Sequence, residues 1–333
     1  MTYAEVRENA RKTILNCRVC PECNGLACGS TMPGPGSKAP GNGAHVNWRA
    51  WQEIRLNMDV FAPDTPVSTD CELFGRKLSL PLLTGPIGSL TQYSKEDVTI
   101  PFNDGVIRGC AEAGIVDCFG DGLAPGVLEA GLASMAKHGA AAIPVINPIA
   151  MADIQREMAV VEETDAMAVS VVVDSAGLTF WSGGGFGSKT VDQLRQLREA
   201  TKKPFVVKGI MTVKNAMQAA EAGADAIIVS NHGGRVLPYA PATAEVLPEI
   251  AEAVGDQMKI IVDGGIRSGA DMLKALALGA DAVLICRPVA VAWFGGGAEG
   301  VKVYAEKLKV ELKEAMYMCG ARSLADIGSE MVR

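Results

Sequence analysis

Eight short apolar runs recur along the chain between residue 78 and residue 287. Each run is rich in Val and Ile and lacks a strict alternation of apolar and polar positions, which is typical of strands buried on both faces. The runs cover residues 78–87, 114–120, 141–147, 168–174, 203–209, 225–231, 258–265 and 281–287. The pattern therefore predicts a sheet with both faces covered.

Helical patterns separate the later runs, for example at residues 212–224 and 268–280, and each of these ends beside a glycine. Strands that alternate with helices predict a parallel sheet, and eight such units predict a closed (β/α)8 barrel of the TIM type. A doubly wound open sheet is the alternative, although such a sheet usually has fewer strands. Residues 300–333 are predicted to form terminal helices.

The first 60 residues differ from the rest of the chain. They contain a cluster of cysteines and then a Gly- and Pro-rich run at residues 33–43, which predicts a loop and excludes a helix or a central strand. We therefore expect an irregular amino-terminal extension over residues 1–60 and an α/β barrel domain over residues 61–333.

Composition and charge exclude several classes of protein. Hydrophobic residues make up 48% of the 333 residues and charged residues 21%, which is typical of a soluble globular protein. The net charge is −7 without a block of like charges, so no nucleic-acid partner is expected. No apolar run approaches the roughly 18 residues of a membrane span, and the charged residues 1–12 do not resemble a secretory signal. These features predict a cytoplasmic protein of enzyme size.

Four of the nine cysteines are crowded together, as Cys17, Cys20, Cys23 and Cys28. Thiolates at this spacing predict a soft metal, and the first three resemble the run of a ferredoxin-type [4Fe–4S] site. Zinc is the competing interpretation, and disulfides or another redox use are further alternatives. The other five cysteines lie scattered in apolar segments, which indicates a reducing compartment.

Polar residues follow the last four predicted strands at the point where each strand ends. Lys208 follows the fifth run, the string SNHGGR at 230–235 follows the sixth, and the string DGGIR at 263–267 follows the seventh. Because the carboxyl ends of barrel strands form one face, we expect these residues to lie together. The glycine turns, with Arg267 and Arg287 as forked donors, predict a phosphate site.

His232 is one of three histidines and the strongest candidate for catalysis. It lies at a strand end between Asn231 and two glycines, with Arg235 three residues further on. An imidazole beside a cation suits the removal of a proton from a substrate that carries an anionic carboxylate. The sequence therefore predicts His232 as a catalytic base.

The strings VVKGI, IIVSNHGGR, IIVDGGIRSGADMLKALALGADAV and RPV resemble the FMN-dependent α-hydroxy-acid oxidase and dehydrogenase family, which includes glycolate and lactate oxidases. The resemblance is clear over residues 203–288 and weaker over residues 78–174. It is absent from residues 1–60. The order SNHGGR then DGGIR, on successive strands, is highly specific.

The resemblance implies a role for each matching residue. His232 would remove a proton from the substrate, Arg235 would bind the substrate carboxylate, and Asp174 would partner the histidine. Lys208 would lie beside N1 and the C2 oxygen of the flavin, where its charge stabilises the reduced ring. The implied FMN-binding residues are Pro86, Ile87, Gly88, Asn147, Lys208, Ser230, Asp263, Gly265, Arg267, Cys286 and Arg287.

Three departures from the family pattern concern the substrate. The third run ends Val145-Ile146-Asn147-Pro148, without the tyrosine that family members usually carry there, and no second arginine follows Asp174. An amino-terminal tyrosine of the family also has no counterpart. The FMN site is therefore better supported than a small 2-hydroxy acid as substrate, and the aromatic residues Tyr93, Trp181 and Phe186 are candidates for lining a different pocket.

The sequence as a whole predicts an FMN-dependent dehydrogenase that acts on an α-hydroxy acid or a related CH–OH substrate. Electrons are expected to leave through the iron–sulfur centre, to an electron-acceptor protein, and a homo-oligomer is expected. One alternative is an FMN barrel with isomerase or alkene-reductase chemistry. Another is a redox sensor in which the cysteine cluster is the switch.

Overall fold

The computed structural model describes residues 1–122, 124–179 and 185–333. Two short strands, β1 (Cys71–Leu73) and β2 (Arg76–Leu78), form an antiparallel pair ahead of the barrel. The barrel strands are β3 (Leu82–Thr84), β4 (Val116–Gly120), β5 (Ala142–Ile146), β6 (Val169–Val172), β7 (Phe205–Ile210), β8 (Ala226–Val229), β9 (Lys259–Asp263) and β10 (Ala282–Ile285).

These eight strands are all parallel and close into a barrel in the order β10-β3-β4-β5-β6-β7-β8-β9. The pairing of β10 with β3 closes the ring, with Val283 beside Leu82 and Ile285 beside Thr84. Each predicted apolar run contains one of these strands. The prediction of a closed (β/α)8 barrel is therefore confirmed.

The strands are apolar throughout because both of their faces are buried. One set of side chains, which includes Ile143, Ile228 and Ile261, packs inside the barrel. The other set, which includes Ile146 and Val262, packs outward against the helices. Because each strand contacts an apolar core on both faces, its sequence does not alternate between apolar and polar residues as that of a half-exposed strand would.

Helices surround the barrel and hold its strands in register. They are α1 (Tyr3–Thr13), α2 (Gly43–Glu53), α3 (Thr99–Ala113), α4 (Val127–His138), α5 (Met151–Glu162), α6 (Val191–Glu199), α7 (Val213–Glu221), α8 (Thr243–Val254), α9 (Gly269–Ala277) and α10 (Arg287–Met318). None of the helices in the described ranges is long and apolar enough to span a lipid bilayer.

The carboxyl-terminal region is helical, as predicted, but its main helix begins earlier than residue 300. Helix α10 starts at Arg287, directly after β10, and its backbone departs from helical geometry at Gly297. Two short 3-10 turns follow, at Leu324–Asp326 and Ser329–Met331.

The prediction of an irregular segment over residues 1–60 is wrong where α1 and α2 form. Helix α1 begins with a capping box between Thr2 and Glu5, and it buries Val6 against α10. The pattern of apolar positions does not predict helix α2, because one of its buried residues is polar. Asn47 is fully buried, and its side chain exchanges hydrogen bonds with Asn231. A polar residue of this kind gives no helical pattern of apolar positions.

Helix α2 also anchors the amino-terminal region to the barrel. Its buried Trp51 donates a hydrogen bond from Nε1 to the carbonyl of Gly264, at 2.7 Å. Gly265 has a φ of +86°, and a Cβ there would lie 2.4 Å from the carbonyl oxygen of Asn47. Glycine is therefore required where α2 crosses the turn after β9. The division of the chain at residue 60 stays a prediction.

Candidate active site

A cavity of about 590 Å³ opens at the carboxyl ends of the barrel strands. Its volume lies within the range of roughly 300–1,000 Å³ that is usual for small-molecule sites. Of the residues predicted for the site, those that line it are Pro86, Ile87, Gly88, Asn147, Lys208, His232, Arg235, Asp263, Gly265, Arg267, Cys286 and Arg287. Asp174 and Ser230 support this wall from behind through hydrogen bonds to its residues.

His232 is paired with Asp174, as the resemblance implied. The Nδ1 atom of His232 lies 2.9 Å from Oδ1 of Asp174, and the carboxylate is buried behind the ring. Burial alone would raise the pKa of Asp174, but the charge and hydrogen bond of His232 outweigh it and hold that pKa below its usual value. An ionised Asp174 that accepts from Nδ1 leaves Nε2 available to accept a proton.

The turn that carries His232 is held in a conformation that few residues adopt. His232 has a φ of +57°, and its backbone N–H donates to Oγ of Ser230 at 3.1 Å. Gly233 follows with a φ of +62°, and a Cβ there would lie 2.4 Å from Nη2 of Arg287. The positive φ therefore favours glycine at this position.

Lys208 lies at the base of the cavity in a fully buried polar cluster. Its Nζ donates to Oδ2 of Asp263 at 3.0 Å and to Oγ of Ser230 at 2.8 Å. Burial opposes a charge on Lys208, but Asp263 and Asp174 outweigh burial and hold the pKa of Lys208 above its usual value. The site thus keeps a fixed positive charge at the centre of the strand ends.

Arg287 and Arg267, the two predicted phosphate ligands, have different surroundings. Arg287 begins helix α10, and its Nη2 donates to the carbonyl of Gly233 at 3.1 Å. Arg267 donates from Nε to the carbonyl of Cys23 at 2.7 Å, and it lines both the main cavity and a second, smaller one. The amino terminus of α10 and the guanidinium of Arg287 together suit an anion. Arg267 instead connects this part of the cavity to the cysteine segment.

Arg235, the predicted carboxylate ligand, contacts the Gly- and Pro-rich run. Its Nη1 donates to the carbonyls of Gly34 and Gly36 at 2.7 and 2.6 Å, and its Nη2 donates to that of Pro33 at 3.2 Å. Pro35 lines the same cavity. The predicted loop is therefore confirmed, and it forms part of the cavity wall around a cation.

The second cavity, of about 270 Å³, is lined by all four clustered cysteines, Cys17, Cys20, Cys23 and Cys28. The segment is tied down by arginines, since Arg7 donates to the carbonyl of Cys20 at 2.8 Å. The described ranges contain no group of three or more His, Cys, Asp or Glu residues that could hold a metal ion. The predicted metal site is therefore not confirmed by the structure.

Some lining residues differ from those predicted. Tyr93 and Phe186 line the main cavity as anticipated, whereas Trp181 lies outside the described residues. Asp121 lines the cavity and was missed. It follows β4 directly, so its place at the end of the second apolar run is the sequence signal that marks it.

A sequence profile of the FMN-dependent dehydrogenase family matches residues 36–179 and 145–333. The chain belongs to this family. The match begins at residue 36, so the expectation that the first 60 residues lack the resemblance is wrong for residues 36–60. Helix α2 explains the correction, because it is built into the site end of the barrel through Trp51 and Asn47.

Individual members of the family are similar over part of their length. The peroxisomal (S)-2-hydroxyacid oxidase GLO3 of Arabidopsis thaliana is 47% identical over 137 residues, which are 41% of this chain and 38% of that protein. The 4-hydroxymandelate oxidase of Amycolatopsis orientalis is 46% identical over 139 residues, 42% of this chain and 39% of that protein. The matches thus span less than two fifths of these relatives.

Solved structures of the same fold extend the likeness to the whole chain. A crystal structure of mandelate oxidase has a TM-score of 0.80 and 27% identity, covering 100% of this chain and 97% of that one. The flavin-binding domain of baker's yeast flavocytochrome b2 has a TM-score of 0.78 and 24% identity, covering 87% and 78% of the two chains. The second likeness concerns the fold alone.

The residues present fit FMN. The cavity is large enough, Lys208 supplies a positive charge at its base, and the helix start at Arg287 suits a phosphate. Buried Oδ1 of Asp263 has no hydrogen-bond partner among the described residues, so the cavity wall retains an acceptor for a bound molecule. Lys208, Asp263 and Arg287 are thus the residues best placed to hold the cofactor.

Proposed function

We propose that this chain oxidises a 2-hydroxy acid with FMN as the electron acceptor. The observation that carries the proposal is the His232–Asp174 pair, whose histidine lines the same cavity as the Lys208–Asp263 pair and Arg235. A base, a fixed cation and a carboxylate-binding guanidinium are the three groups that this reaction needs from the protein.

In the proposed reaction the 2-hydroxy acid loses two protons and two electrons and becomes a 2-oxo acid. FMN, when bound, would take up the two electrons together with one of the two protons. His232 accepts a proton at Nε2, and the carboxylate of Asp174 stabilises the imidazolium that results. Arg235 orients the substrate carboxylate, while the carbonyls of Pro33, Gly34 and Gly36 hold its guanidinium in place.

A panel of 2-hydroxy acids tests this proposal. Anaerobic mixing of the FMN-loaded protein with lactate, glycolate or mandelate is expected to bleach the flavin absorbance with at least one of them, and to release the matching 2-oxo acid. The matched 2-deoxy acids, propionate, acetate and phenylacetate, lack the 2-hydroxyl group and are expected to leave the absorbance of the oxidised flavin in place. Failure of all the 2-hydroxy acids would reject the proposal and favour isomerase or alkene-reductase chemistry.

The nature of the flavin gives a separate prediction. Because Arg287 lies at a helix start beside the close glycine turn of Gly233, the site suits a single terminal phosphate. Acid extraction and chromatography are expected to release FMN. Recovery of FAD, or of no flavin from well-folded protein, would contradict this prediction.

We further propose that the four clustered cysteines bind a [4Fe–4S] cluster through which electrons leave to an acceptor protein. The spacing Cys-x2-Cys-x2-Cys resembles a ferredoxin-type run, whereas zinc sites more often use two separate Cys-x2-Cys pairs. Four thiolates also need positive charge nearby. Cations line the same cavity, at Arg7, Arg18, Arg267 and Lys307.

The position of the cysteine cavity supports a redox role for it. Arg267 lines this cavity and the main one, so a cluster bound here would be a close neighbour of the flavin. An iron–sulfur cluster transfers electrons, and zinc does not. The nine cysteines are all free in the structure, which supports a reducing compartment, and we propose the cytoplasm. A homo-oligomer stays a prediction.

A further inference from the structure

The main cavity has an uneven distribution of charge around the barrel. Its cations, Lys208, Arg235, Arg267 and Arg287, lie on or directly after strands β7 to β10. Asp121 follows β4, and in the closed ring β4 lies four strands from β8 in either direction. The carboxyl of Asp121 therefore stands across the barrel from the strand that leads to His232.

The side chain of Asp121 is held in one orientation by Asn147. Its Oδ2 accepts the backbone N–H of Asn147 at 2.8 Å, and its Oδ1 accepts the Nδ2 group of the same residue at 2.6 Å. The backbone N–H of Asp121 donates to the carbonyl of Val145 at 3.1 Å. Two hydrogen bonds thus hold the carboxyl group and a third holds its backbone at the cavity wall, without a cation.

Asp121 differs from Asp263, the other carboxyl of the cavity. Asp263 forms an ion pair with Lys208, whereas Asp121 forms none within the described ranges. Burial raises the pKa of Asp121 to about 7, against the hydrogen bonds of Asn147, and the carboxylate of Glu157 on α5 adds to the rise. A ligand that donates a hydrogen bond or carries a positive charge would relieve this unfavourable burial.

Apolar side chains lie on the same part of the cavity wall as this pair. Val145, Val172, Leu178 and Phe186 line the cavity on the same strands or on the segment after β6. Ser175 adds a neutral hydroxyl to this half of the wall, and Asp121 is the one carboxyl there among the described lining residues. A buried polar group discriminates strongly between ligands that satisfy it and ligands that do not.

We propose that Asp121, positioned by Asn147, binds the side chain of the substrate and selects a 2-hydroxy acid whose side chain ends in a hydrogen-bond donor, either a hydroxyl or an ammonium group. The inference rests on the proposed function, because it places the substrate carboxylate at Arg235 and the reacting carbon near His232. The side chain then points toward β4 and β5.

Three acids that differ at a single position test this inference. Lactate carries a methyl group, glycerate carries a hydroxymethyl group, and isoserine carries an aminomethyl group at the same place. The dissociation constant of each is measured anaerobically with FMN-loaded protein, from the perturbation of the flavin spectrum on mixing. We expect the native protein to bind glycerate or isoserine at least about tenfold more tightly than lactate, since a methyl group offers the carboxyl of Asp121 neither a hydrogen bond nor a positive charge.

Two variants connect this preference to Asp121. Asp121→Asn keeps the size of the side chain but removes the charge, so any preference for isoserine is expected to fall about tenfold. Asp121→Ala removes both acceptor oxygens, so the preference for glycerate is expected to disappear as well. Asp104→Asn is the matched control, because Asp104 contacts Lys137 and His138 on the outer helices, away from the cavity.

The outcomes separate this inference from the proposed function. If the native protein binds lactate as tightly as the other two acids, or if both variants keep the native ratios, the inference is overturned. Oxidation of lactate in that case would leave the proposed function standing. If Asp121→Ala loses its flavin or does not fold, the test rests on the isosteric Asp121→Asn variant. An unchanged ratio of the isoserine and lactate dissociation constants in that variant would then overturn the inference. Tighter binding of isoserine than of glycerate would identify an ammonium group as the donor that Asp121 selects. Tighter binding of glycerate would identify a hydroxyl group.

Discussion

Replacement of His232 by Ala is expected to lower the rate of flavin reduction by a 2-hydroxy acid on the order of 100-fold or more, the usual contribution of a general base. The variant removes the group that accepts the substrate proton, but it leaves Lys208, Asp263 and Arg287 in place, so FMN stays bound. Anaerobic stopped-flow measurement of flavin bleaching, with the FMN content of each preparation, gives both quantities.

His138→Ala is the matched control for this experiment. His138 also pairs with a carboxylate, Asp104, at 3.1 Å, but it lies on α4 and does not line the cavity. This control is expected to reduce its flavin at the native rate. Native-like reduction in the His232 variant would assign the base to another residue, whereas loss of FMN from it would assign His232 a structural role.

The double replacement of Cys20 and Cys23 by Ser is expected to remove iron and acid-labile sulfide from the protein while FMN remains. Flavin reduction by the substrate should persist, because His232 and Asp174 are untouched. Turnover with an external one-electron acceptor should fall to a small fraction of the native value, since the route for electrons is lost. Metal analysis, anaerobic flavin reduction and steady-state turnover measure the three effects.

The same variant tests the order of the amino-terminal segment. Metal binding contributes folding free energy to segments with few apolar residues, so hydrogen exchange over residues 1–45 should increase. Cys71→Ser is the control, because Cys71 is a free cysteine in β1 and does not line the cysteine cavity. Zinc at one per chain in the native protein, or unchanged turnover in the double variant, would show that the segment has a structural role and does not transfer electrons.

The barrel could be predicted from the sequence because its cause is local. A strand buried on both faces must be apolar along its whole length, and every one of the eight runs contains a barrel strand. The grouping of the strand-end residues could also be predicted, from the geometry of parallel strands. Lys208, His232 and Asp263 lie together because parallel strands bring their carboxyl ends to one edge, whatever the details of packing.

Helix α2 shows what local patterns miss. Its position depends on Asn47, whose amide is satisfied by Asn231, a residue 184 positions away. A sequence pattern counts such a buried asparagine as polar and exposed, because the pattern contains no information on its partner. Asp121 was a different kind of omission, since its place after β4 was visible in the sequence and only its pairing with Asn147 was not.

The amino-acid sequence by itself determined the barrel and the set of polar residues at its carboxyl end. Only the tertiary structure decided how the amino-terminal region meets that end: Arg235 donates to Gly34, 201 residues earlier in the chain, and Arg267 donates to Cys23. These bonds use backbone carbonyls, which every residue carries, so no residue type marks them in advance. Their formation depends on the path of the chain in space, and that path produces no periodic pattern of residues in the sequence.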